Sequence, residues 1–232
     1  MPELLEAVRA GLQAVADPAR APQMQAYMKS DMPYHGVTAE PCQAVFKRVF
    51  ADLDLESAGH WRELVLELWR GAEFREERYA AMALCADARA RPYQLPASLS
   101  LYQEMIVTGA WWDYVDSLAS NRVGGLLRDH RAAIRPKMLA WSRDRDMWKR
   151  RTSIICQLRF KENTDLELLQ ACIEPSLDSK QFFLRKAIGW ALRQHAWVDP
   201  DWVVSYVSAH EAELSPLSRR EALKNVSRKR GS

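Results

Sequence analysis

The chain has 232 residues, 48% of them hydrophobic, which is enough apolar material for one large domain or two small ones. Lysine and arginine number 33 against 30 acidic residues, a net charge of +3. That excludes a histone-like basic excess and leaves nucleic acid a permitted partner, provided the charges are sorted onto one face. No apolar run approaches the ~20 residues needed to span a bilayer, and Met1-Pro2-Glu3 opens an amphipathic helix rather than a secretory leader. A cytoplasmic protein with reduced thiols, able to act on the nucleoid and without a membrane partner, is expected. The four cysteines, Cys42, Cys85, Cys156 and Cys172, are scattered and form no C-x-x-C pair, so no metal site is expected. Cys85 and Cys156 lie in apolar helical stretches and read as buried thiols.

Glycine is sparse, and no β-branched run alternates apolar with polar residues, so the fold class is all-α. Leu4, Leu5, Val8, Leu12 and Val15 predict a helix over about 3–16, and a second helix runs over about 21–30. Pro33 and Gly36 break the chain into a loop over 31–37. Helix resumes near Thr38, with Pro41 in its first turn. From there helical segments begin near Glu40, Glu76, Trp112, Trp148 and Phe183, about 36 residues apart. Intervening helices are expected at Trp61–Trp69, Leu95–Val107, Gly124–Ala140 and Leu166–Ile173. A period of this length belongs to stacked helix pairs, and predicts an α-solenoid of degenerate HEAT-like repeats with a concave DNA-binding groove. Residues 1–226 are read as one such domain and 227–232 as a short basic tail. Asp178 to Gln181 and Ser218 to Glu221 fit capping boxes, and Asp199-Pro200 fits a cap followed by a first-turn proline. Gly124-Gly125 reads as a turn signal.

The densest chemistry lies in Trp111-Trp112-Asp113-Tyr114-Val115-Asp116. In a helix, Trp112 and Asp116 share one face, and Trp111 and Val115 form a neighbouring row that reads as core. A buried carboxylate costs several kcal/mol, on the order of 3–5, unless it is paired. Asp116 is therefore either salt-bridged to an arginine or lining a groove. Arg151 lies one repeat further on, with Trp148 a turn before it and able to stack on its stem. Trp190 follows Gly189, and a mid-helix glycine costs about 1 kcal/mol relative to alanine, so it signals a closely approaching neighbour. Lys186 lies one turn before Trp190. Tyr27, near Lys29, is a lesser candidate. No Walker, dinucleotide-binding or zinc-protease motif is present, and the five histidines are isolated.

The stretches Thr108 to Asp116, Trp148 to Arg151, Phe182 to Trp190 and Leu217 to Ala222 together resemble the AlkD-like DNA alkylation-repair glycosylases, a HEAT-like repeat family. Tyr27-Met28-Lys29, followed by Pro33 and Gly36, resembles that family's N-terminal segment, although the loop Pro33-Tyr34-His35-Gly36 does not match at every position. The resemblance implies hydrolysis of the N-glycosidic bond of cationic alkylpurines, such as 7-methylguanine and 3-methyladenine, in duplex DNA. It implies no base flipping and no cofactor. By position it assigns Asp116, Trp112 and Trp190 to the catalytic site, Arg151 to a DNA contact and Tyr27 to an N-terminal contact. Lys186, beside Trp190, is read as a further DNA contact, and a monomer is expected. The alternative is a non-catalytic HEAT-like scaffold that binds DNA or a protein partner.

Overall fold

Apolar residues recurring at helical spacing become fourteen α-helices among residues 3–226, the part of the chain that the computed structural model describes. Every regular element there is helical, as the composition predicts. The chain divides into two compact units, Met1–Gln94 and Leu95–Ser232. Among the described residues no helix is long and apolar enough to cross a membrane. The predicted basic tail at 227–232 lies outside the described residues.

The first unit holds α1 (Glu3–Gln13), α2 (Ala21–Met28), α3 (Ala39–Val49), α4 (Ala58–Arg70) and α5 (Arg75–Ala86). Val8, Leu12, Phe46, Trp61, Leu68, Trp69 and Leu84 are fully buried and form its core. Two buried carboxylates on α5 organise the loop that precedes α3. Glu76 accepts hydrogen bonds from the backbone N–H groups of His35, Gly36 and Val37 at 2.9 to 3.1 Å. Glu77 takes Arg9 at 2.8 Å, His35 at 3.4 Å and the N–H of Glu73 at 2.7 Å. Gly36 is required there: its φ is +83°, and a Cβ would meet the carbonyl oxygen of Asp17 at 2.1 Å.

The second unit begins with α6 (Leu99–Gly109) and α7 (Trp112–Ser117). A π-helical stretch at Leu118–Val123 carries α7 into α8 (Gly124–Asp129), followed by α9 (Arg131–Trp141) and α10 (Met147–Ile155). Then come α11 (Leu166–Ile173), α12 (Phe182–His195), α13 (Pro200–Ala209) and α14 (Pro216–Leu223). Helices α3, α5, α7, α10 and α12 start at 39, 75, 112, 147 and 182, each within one residue of the register expected from the repeat. All four cysteines are buried and free.

Several local expectations are corrected. Gly124-Gly125 is not a turn but lies inside continuous helix, where Gly124 lets the carbonyl of Cys156 come within 2.3 Å of where a Cβ would be. The break comes instead at His130, whose backbone (φ −136°, ψ 47°) leaves the helical region and divides the expected Gly124–Ala140 helix. The Asp178 box does not form: α12 starts at Phe182 without a side-chain cap, and the Ser179 hydroxyl accepts from the N–H of Gln181 instead. Nor is Ser218 a cap. Ser215 caps α14 and Pro216 follows as its first residue, so the cap–proline pair overrides the box. Asp199 caps α13 as expected, accepting from the N–H of Trp202.

Candidate active site

Three helices of the second unit bring the central residues together. Helix α6 ends at Ala110, whose φ of +43° puts a side-chain-bearing residue in the left-handed region, at a cost of about 1–2 kcal/mol. That turn redirects the chain so that Trp111, extended at φ −146°, caps α7 while Trp112 opens it. Trp112 and Asp116 then fall on one face, one turn apart, both partly exposed. The π-helical stretch begins directly after this turn. There the Ser120 hydroxyl and the Asn121 amide donate to the carbonyls of Asp116 and Ser117. These side-chain bonds satisfy acceptors that a widened helix leaves poorly paired.

Helix α10 is capped by Asp146, whose carboxylate accepts from the N–H groups of Trp148 and Lys149. This fixes the register of Arg151, which is buried at 4% exposure. Its guanidinium grips Asp116 with both arms, Nε to Oδ1 at 2.6 Å and Nη2 to Oδ2 at 2.7 Å. Nη1 donates to the carbonyl of Phe183 at the start of α12. One arginine therefore ties α7, α10 and α12 together in a planar fork, the arrangement for which guanidinium is suited and ammonium is not. Of the alternatives open to Asp116, the salt bridge is realised, yet its side chain keeps 15% of its exposure.

Burial raises the Asp116 carboxyl above its ordinary range, and the charge of Asp113 adds to the rise. The hydrogen bonds and charge of Arg151 pull it the other way. Burial wins, so the carboxyl stands above its ordinary range even with Arg151 bound to both of its oxygens.

An aromatic cluster adjoins the guanidinium of Arg151. Trp111 stands 6.4 Å from Trp148 and 5.5 Å from Phe183, and Trp148 stands 4.9 Å from Phe183. The Arg151 guanidinium lies 5.8 Å from the Phe183 ring centre. Trp148 joins Trp111 and Phe183 in one aromatic cluster, and it is Phe183 that takes the guanidinium. One expectation is corrected here. Trp111 is half-buried rather than core, because as the cap of α7 it lies outside the helical row that buries Val115.

Trp190 is half-buried and sits seven residues beyond Phe183, two turns along the same face of α12. The close approach signalled by Gly189 is real: a Cβ there would meet the Cβ of Glu221 on α14 at 2.5 Å. Lys186, expected near DNA, lies 3.3 Å from Glu221 and stays 39% exposed. Tyr27 belongs to α2 of the first unit and is 78% exposed. Sequence reasoning did not single out Phe183 as the anchor of Arg151 or Glu221 as a partner of Lys186. For the second, Gly189 was the available signal.

Comparison with known proteins follows the same lines. A family model described as DNA alkylation repair enzyme matches residues 8–226. A solved structure of a predicted DNA alkylation repair enzyme from Enterococcus faecalis is 30% identical, covers 90% of this chain and 95% of that one, and superposes with a TM-score of 0.77. No curated protein matches.

Proposed function

The chain belongs to the DNA alkylation repair enzyme family, and from that premise we propose that it is a DNA glycosylase acting on cationic alkylpurines in duplex DNA, with Asp116 at its reacting centre. The observation that carries this reading is the forked pair of Asp116 and Arg151, with the guanidinium against Phe183 and the Asp116 side chain 15% exposed.

Alkylation of a ring nitrogen places a positive charge on the purine and weakens its bond to the sugar. When that bond breaks, the electron pair leaves with the base, which becomes neutral without needing a proton donor. Positive charge then appears on the deoxyribose. A carboxylate that is already ionised and already oriented stabilises this charge without reorganising. It also aligns the water that attacks the sugar carbon and accepts the proton that the water loses. Arg151 has a double task in this reading. It orients Asp116 and lowers its carboxyl against burial, and as the DNA contact it meets a backbone phosphate through the small part of its side chain that stays exposed. The partly exposed indoles of Trp112 and Trp190 present negative faces to the cationic base or sugar, worth roughly 0.5–2 kcal/mol each. Tyr27, exposed on α2, is a further DNA contact in this reading. The catalytic groups address the sugar, so the base stays unflipped, bulky adducts are tolerated and a cationic leaving group is required.

A non-catalytic scaffold is the second reading. It is favoured by the fact that both oxygens of Asp116 already have a partner in Arg151. The test is base release from methylated and from uracil-containing duplexes. A glycosylase of this kind frees 7-methylguanine or 3-methyladenine and leaves uracil in place. Release of neither alkylpurine supports the scaffold, and efficient release of uracil removes the requirement for a cationic leaving group.

A further inference from the structure

A net charge of only +3 yields a basic surface only by sorting, and the packed pair of α12 and α14 is one place where the charges are sorted. Helix α12 carries Arg185, Lys186 and Arg193 and no acidic residue. Helix α14, with the Lys224 that ends it, carries Arg219, Arg220 and Lys224 against Glu221 alone. Six strong cations thus face one carboxylate, an excess larger than that of the whole chain.

Glu221 does not cancel that excess; it arranges it. Its side chain is almost fully buried and takes Lys186 at 3.3 Å, Arg193 at 2.6 Å and Lys224 at 2.5 Å. Gly189 makes this geometry possible. Because it has no side chain, Glu221 packs directly on α12 between Lys186, three residues before, and Arg193, four residues after. At 100° per residue Lys186 and Arg193 lie within about 20° of each other around α12, and Trp190 about 40° to one side of Lys186. The cations therefore form a stripe alongside the Trp190 and Phe183 row. These three bonds to Glu221 leave donors unused on all three side chains, two or more on each ammonium and four on the guanidinium of Arg193. Their side chains are 39%, 28% and 50% exposed. Arg185 donates to the carbonyl of Ser179, and Arg219 is engaged by Glu211. Arg220 takes no part in the cluster, so the cations gathered on the buried anion are Lys186, Arg193 and Lys224.

We propose that Lys186, Arg193 and Lys224, gathered by Glu221, form a phosphodiester-binding patch that holds the DNA backbone next to Trp190. The proposal rests on the reading of the chain as a DNA-acting enzyme but adds residues and a role of its own. A carboxylate with three cations around it is a preorganised site for a second anion, because the cations are already ordered and desolvated on one side before DNA arrives. The contact is to the backbone, so it positions without reading sequence.

The experiment is the salt dependence of binding to an undamaged duplex, followed by fluorescence anisotropy. The logarithm of the binding constant falls with the logarithm of salt concentration by about 0.9 for each phosphate neutralised. Lys224→Ala and Arg193→Ala are each expected to flatten that slope by about 0.9. Lys224→Ala removes a half-exposed side chain, so its folding is not at risk. Folded Lys224→Ala and Arg193→Ala proteins with the wild-type slope would overturn the proposal, as would a wild type that does not bind duplex. The probe carries no lesion, so the two readings fail separately. Flattened slopes without alkylpurine release would remove the glycosylase and keep the patch. Unchanged slopes in an active glycosylase would do the reverse.

Discussion

Glu77 and Asp116 are both carboxylates gripped by an arginine, and their carboxyls are shifted in opposite directions. Glu77 is completely enclosed, and burial pushes its carboxyl up. His35, Arg9 and the N–H of Glu73 outweigh that push and bring it to about 2. Asp116 has a single cation, and burial wins, so its carboxyl stands above the ordinary range. The number of partners separates the two. A carboxylate with several donors and no access to solvent can only hold structure together. One with a lone fork, an exposed edge and indoles beside it has coordination left for a ligand.

The largest test of this difference is to remove each arginine in turn. Arg151→Ala leaves Asp116 without any cation, and loss of one partner of a buried pair costs about 3–5 kcal/mol. Arg9→Ala leaves Glu77 with His35 and backbone donors, and is expected to cost only about 1.5–3 kcal/mol. Urea denaturation at neutral pH measures both, and equal losses would erase the distinction.

Next comes Glu77→Gln. The folded carboxyl lies at about 2 against a usual 4.5, so between these values the unfolded chain binds the proton more readily. The stabilisation, on the order of 3 kcal/mol, is complete above pH 4.5 and is lost as pH falls toward 2. The gap in stability between wild type and Glu77→Gln is therefore expected to be widest near neutrality and to close across that window. A gap independent of pH would contradict the assignment.

The smallest effect is at Phe183→Leu. The backbone carbonyl that receives Arg151 is kept, and the ring contacts with Trp111, Trp148, Phe182 and the guanidinium are lost. A loss of about 1 kcal/mol is expected in the same denaturation measurement. A much larger loss would mean that the ring, not the carbonyl, anchors the arginine.

What could be read from the sequence follows the range of the forces involved. Helix starts at 39, 75, 112, 147 and 182 are set by local apolar spacing, and they were legible to within a residue. The shared face of Trp112 and Asp116 is equally local. The grip of Arg151 on Asp116 spans 35 residues, so the sequence showed only that both belong to the same repeat register. Trp148 looked like the partner of Arg151 because it is one turn away, but Phe183, 32 residues distant, holds the guanidinium. Glu221 looked like half of a capping box for the same reason. Spacing fits both roles, and only the packing of α14 on Gly189 sends its carboxylate to Lys186 and Arg193. Glu76, with three backbone donors from a loop 40 residues away, left no mark in the sequence at all.

The central claim is that Asp116 acts on the sugar rather than merely pairing with Arg151. The direct measurement is single-turnover release of 7-methylguanine from methylated duplex, comparing wild type with Asp116→Asn at protein concentrations that saturate the DNA. Asparagine keeps the shape and one acceptor but not the charge. Release by the wild type is expected, with a fall of at least about a hundredfold in the variant, the scale set by loss of a preorganised charge at a reacting centre, and with duplex binding retained. Equal rates of release from the two proteins would leave the activity in place and contradict the role given to Asp116.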